Sequence, residues 1–185
     1  YFTDWFIPAF TVAEKPWRMF AAKSALHVLS WAFDEKVLPL EIRDAQIGAW
    51  MLSPGESKYE LKELCLRNGL REIGSREALV GHGKSEIPFS RVPVEELSEY
   101  AAKSAAAIFE LWDVVHSKLK KSGLEKHFLK TEMPILKVLF AMEECGAAID
   151  DGALKSLSAD FSKRIEETEE KIYRLSGGNP FNIAS

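Results

Sequence analysis

Apolar residues recur three and four apart along most of the chain, and this spacing predicts helices. In SALHVLSWAF they fall at Ala25, Leu26, Leu29 and Phe33. Residues 44–52 (DAQIGAWML) read as a second helix, capped by Asp44 and stopped by Ser53-Pro54-Gly55. A third is KYELKELCLRNG, with Ser57 as its cap and Gly69 as its stop. A long helix opens at Pro93 and runs to Lys121, ending at Ser122-Gly123, with an apolar line through Leu97, Ala101, Ser104, Ile108, Leu111 and Val115. One member of that line is a hydroxyl. A further helix covers about 131–145, with Thr131 as cap and Pro134 in its first turn. The last starts at Asp150 or Asp151 and stops at Gly177-Gly178, with a near-heptad stripe of Leu154, Leu157, Phe161, Ile165, Ile172 and Leu175. Such a stripe wants an antiparallel partner helix.

Two regions depart from this period. Residues 1–22 are aromatic and branched, broken by Pro8 and Pro16, and suggest short strands, one of them near Trp17–Ala22. Residues 71–92 hold Gly74, Gly81, Gly83 and Pro88 and read as a surface loop. Their GHGKS stretch lacks the GxxxxGK[ST] frame and a preceding strand, so it is not read as a phosphate-binding loop.

Composition narrows the class. The chain is 46% apolar and 28% charged, enough to bury a core, and its net charge of −4 is not that of a protein that grips nucleic acid by charge alone. From Asp150 to Ser185 five basic residues face seven acidic ones, so Lys163 and Arg164 are candidate phosphate contacts rather than a strong site. Cys65 and Cys145 stand far apart with no metal-ligand spacing and read as reduced, buried thiols in an intracellular protein. No apolar run approaches the ~20 residues that cross a membrane. The chain lacks an initial methionine and stops inside a continuing pattern, as expected for a fragment.

The last third carries a specific pattern. LKTEMPILKVLFAMEECGAAID resembles the E-x-P-L-x-x-x-L-x-x-M-E-x-x-G-x-x-[IV]-D helix at the entry to the polymerase domain of family A DNA polymerases, through Glu132, Pro134, Leu139, Met142, Glu143, Gly146, Ile149 and Asp150. The next segment matches that family's I-Y-x-L-A-G and F-N-[IL]-x-S elements at Ile172, Tyr173, Leu175, Gly177, Phe181, Asn182, Ile183 and Ser185. Upstream, IRDAQIGAWMLSP, KYELKELCLRNGL and EYAAKSAAAIFEL resemble, in order, helices of the family's 3′–5′ exonuclease domain. The resemblance implies an α/β fold: a partial, helix-rich, ribonuclease-H-like exonuclease domain over residues 1–122, then over 123–185 a long antiparallel helical pair leading into the polymerase thumb. It implies DNA and dNTPs as partners of the parent protein, and Mg2+ as the parent's cofactor, with none held by this segment. The compartment it implies is the cytoplasm for the bacterial type and the nucleus for the theta type.

Departures from the family pattern matter as much. Active exonucleases of this type hold two cations on four acidic side chains, because hard ions need oxygen ligands. The alignment puts Ser104 where the third motif carries aspartate, and Ala25 where the second does. The first, Asp-x-Glu, is not found in the 24 residues before Ala25. On the resemblance, then, the exonuclease-like domain is non-catalytic, and Ser104 is expected to bond back to the carbonyl of Tyr100. Two other readings stay open. One is a working exonuclease with relocated ligands drawn from Asp44, Glu95, Glu96 and Glu99, although Asp44 reads better as a helix cap and the glutamates as first-turn charges. The other is a free-standing helical interaction module. His27, His82, His116 and His127 are scattered without ligand spacing and read as surface or half-buried residues, and Trp31, Trp50 and Trp112 as core.

Overall fold

The computed structural model describes residues 15–33, 39, 41–178 and 181–183. The chain forms two compact units, Tyr1–Cys145 and Gly146–Ser185. The short strands expected within residues 1–14 lie outside the described residues.

Among the described residues, the first unit is built on a two-stranded parallel sheet, β1 (Trp17–Met19) and β2 (Ile42–Asp44), in the register Trp17↔Ile42 and Met19↔Asp44. Parallel strands need a crossover, usually a helix, and α1 (Ala22–Phe33) lies between them in the chain. It buries Ala22, Leu26 and Ser30, one face at four-residue spacing. β2 runs straight into α2 (Ala45–Leu52). Next come α3 (Leu61–Arg67), the five-residue α4 (Arg76–Val80), and α5 (Val94–Lys121). The third helix starts later than its apolar pattern suggests. Glu60, without a side-chain cap bond, stands at its N-terminus instead of Ser57. The expected loop contains α4, capped by Ser75 Oγ, which accepts from the N–H of Ala78 at 3.1 Å. GHGKS is an exposed stretch with a short 3-10 turn.

α5 is the organising helix. Ala107, Leu111, Trp112, Val115 and Leu119 are buried along one face. Ala101, two turns nearer the N-terminus, is exposed, so the expected inward line holds only in the C-terminal half. α2 crosses α5 at Gly48, where an added Cβ would lie 2.6 Å from Val115 Cγ1 and 3.3 Å from Leu119 Cδ1. Here the glycine serves close approach, not a turn. Gly48→Ala should therefore cost about 1–2 kcal/mol, overpacking outweighing the better helix propensity of alanine. Urea unfolding monitored by circular dichroism measures it, and a neutral result would contradict the close approach.

Gly123, at φ +74°, reverses the chain after α5. Helical turns resume at once, from Glu125 through a widened π turn over Phe128–Glu132 into α6 (Met133–Cys145), so Thr131 does not begin a new helix. Pro134 accounts for the widening: it has no N–H for the carbonyl four residues back and its ring crowds that carbonyl. Phe128, Leu136 and Phe140 join Leu26, Ile42, Leu111 and Leu119 in a single core. Residues 123–145 thus pack with the first unit.

The second unit is dominated by α7 (Asp151–Leu175). Its start is fixed as its sequence suggests, Asp150 Oδ1 accepting from the N–H of Ala153 at 2.9 Å. Gly177 and Gly178 end it, both at positive φ. Tyr173 bonds through its hydroxyl to the carbonyl of Phe181 at 3.2 Å, folding the tail back along the helix. Within this unit Leu154, Leu157, Phe161, Ile165 and Leu175 are exposed.

Candidate functional site

Ligands of open α/β sheets gather at the carboxyl ends of the strands. In this protein β2 ends there on Asp44, whose side chain is committed to the backbone. The residue is buried, with 1% of its surface exposed. Oδ1 accepts from the N–H groups of Gln46 (2.8 Å) and Ile47 (3.3 Å) at the start of α2. Oδ2 accepts from the N–H of Ala22, the first residue of α1, at 2.6 Å. Ala21 takes a positive φ of 49° just before that residue, a strained setting for a non-glycine. One carboxylate therefore holds the N-termini of two helices, both of which favour negative charge. Burial pushes its proton affinity above the ordinary carboxylate value, and the backbone donors pull the other way. The expected cap is confirmed and extended to a second helix.

The two positions singled out by alignment behave differently from each other. Ala25 sits half-buried on α1, its N–H bonded to the carbonyl of Ala21 at 3.2 Å. Ser104 is on α5, and its Oγ is buried with no hydrogen-bond partner. The expected bond to the carbonyl of Tyr100 is not made. A hydroxyl so placed is destabilising relative to an apolar group of similar size. It borders a cleft of about 490 Å³ lined also by Phe20, Gln46, Ile73, Gly74 and Tyr100. So position 104 has not closed into ordinary core.

The glutamates proposed as relocated ligands do not join Asp44. Glu99 is paired with Lys103 one turn on, at 2.6 Å, which holds its carboxyl below the usual range. Glu95 and Glu96 are exposed in the first turn of α5. Among the described residues, no group of three or more His, Cys, Asp or Glu side chains is arranged to hold a metal ion. The described residues around Asp44 and Ser104 thus do not fit a two-cation site.

On α7, Lys163 and Arg164 are both exposed. The Arg164 guanidinium lies 3.9 Å from Asp160 and 5.8 Å from the centre of the Phe161 ring. It borders a groove of about 460 Å³ with Ile165, Thr168 and Ile172.

Several sequence expectations are corrected. Trp31 is 85% exposed and Trp50 46%, while Trp112 alone of the three is core, stacked against His116 with ring centres 5.0 Å apart. Helical spacing put all three on apolar faces, but α1 and α2 each bury only one side. Cys65 is buried, and burial raises its thiol's proton affinity; Cys145, at the end of α6, is exposed. The four histidines are exposed or half-buried, as expected, and three of them pair with acids. His27 meets Glu143 and Glu144, His116 meets Glu125, and His127 meets Glu132. The acids facing His27 stand 116 and 117 residues away in sequence, so no local spacing could announce them.

Almost all of the chain aligns with proteins named DNA polymerase I. It is 34% identical to that of Chloroflexus aurantiacus over 181 residues, 96% of this chain and 19% of the relative. It is 29% identical to that of Bacillus subtilis over 177 residues, and 30% identical to that of Treponema pallidum over 167, covering 93% and 90% of this chain and 19% and 16% of those proteins. No protein-family model matches the chain. The protein is thus a relative of the family A DNA polymerases, aligned with one segment of them. The relatives it matches are the bacterial DNA polymerase I, and the chain spans about a fifth of their length.

Proposed function

We propose that this chain is a segment of a bacterial-type DNA-directed DNA polymerase of family A, and that its first part is an exonuclease-like domain retained as a scaffold without catalysis. The observation that carries this reading is the alignment with DNA polymerase I along 96% of the chain, read together with alanine at 25 and serine at 104. The parent extends a primer from dNTPs, in replication or repair, using Mg2+ held outside this segment. Residues 1–122 descend from the ribonuclease-H-like exonuclease. Residues 123–185 descend from the polymerase entry that leads to the thumb. That descent boundary differs from the packing boundary at Gly146, because α6 shares the core of the first unit. Lys163 and Arg164 contact the DNA backbone weakly. The bacterial relatives favour the cytoplasm over the nucleus, and no helix among the described residues is long and apolar enough to cross a membrane.

Asp44 supports a scaffold role. Both Asp44 oxygens are taken by backbone donors, so a metal would have to strip two helix caps to bind there. A relocated-ligand exonuclease is correspondingly disfavoured. The test uses 3′-labelled single-stranded DNA with this chain in micromolar excess and Mg2+ or Mn2+. No release of mononucleotides is expected. Release that is lost in Asp44→Asn would overturn the scaffold reading. Primer extension by the complete parent protein tests the polymerase assignment separately.

A further inference from the structure

His27 lies on the outer flank of α1, where the last turn of α6 passes. Its Nδ1 is 2.7 Å from Glu144 Oε1 and its Nε2 is 2.7 Å from Glu143 Oε2. Ionised carboxylates only accept hydrogen bonds, and neutral imidazole has one N–H. Two such contacts at once therefore require the doubly protonated ring. Among the described residues, Lys23 and Ser30 also join this set of contacts. Lys23, one turn earlier on α1, pairs with the same Glu143. Ser30 Oγ, one turn later, donates to Glu144 Oε2 at 3.2 Å. The His27 ring rests on Phe140 of α6 with centres 4.7 Å apart. Lys137, the other nearby cation of α6, donates instead to the carbonyl of Pro39 at 3.0 Å. With His27 charged, Lys23, His27, Glu143 and Glu144 sum to zero; without its proton they carry one negative charge.

We propose that His27 is a proton-controlled latch: as imidazolium it fastens the final turn of α6 to α1 through Glu143 and Glu144, and on losing a proton it releases one of them. The bonds to Glu143 and Glu144 raise the ring's proton affinity above the ordinary value near 6.5. The sign follows: the latch is fully closed below about 6.5 and opens as pH rises through the higher folded-state value. His116 and His127 each meet a single carboxylate among the described contacts, at 2.7 and 3.2 Å, which one neutral tautomer can satisfy. No metal ligand stands beside His27, since position 25 is alanine.

The experiment follows the histidine ring signals by NMR and amide exchange over residues 140–145, corrected for intrinsic rates, from pH 5.5 to 8.5. His27 is expected to titrate above 6.5, with protection of these amides falling about tenfold for each unit by which it does so. The fall should vanish in His27→Gln and persist in His116→Gln. A His27 titration at or below 6.5, or the same fall in His27→Gln, overturns the latch. Should His27→Gln not fold, Glu144→Gln takes its place. The His27 titration must then move down towards 6.5, and an unmoved titration refutes the proposal.

Discussion

Asp44→Ala is expected to lower the unfolding free energy by about 3–5 kcal/mol, a large share of the stability of a domain this size. An ordinary N-cap loss costs about 1 kcal/mol. This side chain does more, because its second oxygen also serves α1. Removing it leaves the buried N–H of Ala22 and the half-buried N–H groups of Gln46 and Ile47 without their acceptor (2.6, 2.8 and 3.3 Å), a fully buried unpaired donor costing about 1–3 kcal/mol. Asp44→Asn keeps one acceptor oxygen, so it should recover about half of the loss, retaining the α2 cap and losing the α1 bond. Chemical denaturation of the three proteins separates these outcomes. Equal losses for Asn and Ala would mean that the double cap contributes little beyond its charge. The wild-type carboxyl adds a pH dependence of its own. Its folded-state proton affinity is raised by burial above an ordinary value near 3.8. The associated stability is therefore greatest below that value and declines as pH climbs through the folded-state one.

That prediction rests on a feature half legible in the sequence. Asp44 before AQIGAWML announces a cap, because an acceptor ahead of an apolar helical run is a local signal. The partner at Ala22 is 22 residues away, and no periodicity reports it. The same division runs through the molecule. The ends of α5 and α7 follow from Pro93, Gly123, Asp150 and Gly177, which act on their own turns. The late start of α3 and the exposure of Trp31 and Trp50 do not, since they depend on which side of a helix meets α5 or α6. Pro134 is intermediate: proline in a helical run announces a disturbance, but the turns before it supply the widened one. At the candidate site, the resemblance singled out positions 25 and 104 through motif spacing. It could not say whether the cleft beside Ser104 had collapsed, because that depends on Ile73, Gly74 and Tyr100 from other parts of the chain.

Ser104 supplies the sharpest test of what has happened to this site. Its Oγ is buried and unpartnered, so Ser104→Ala should be neutral or stabilising by up to about 1 kcal/mol. A serine that did bond to its helix would instead give a loss. Ser104→Asp supplies the acid that the resemblance to the exonuclease motif leads one to expect at this position, and should cost about 2–3 kcal/mol at pH 7. The charge would enter a half-buried position with no cation to meet it. Ser104→Asn has nearly the same size without the charge, so the difference between the two isolates the electrostatic part. The pH dependence then decides the mechanism. An aspartate penalised by desolvation has its folded-state proton affinity raised. The Asp variant should therefore match the Asn variant at low pH and fall behind it as pH rises through the folded-state value. If the two variants stay equal at every pH, position 104 is wet enough to carry a charge, and a decayed metal site would explain its serine less well than simple drift on a solvated helix face.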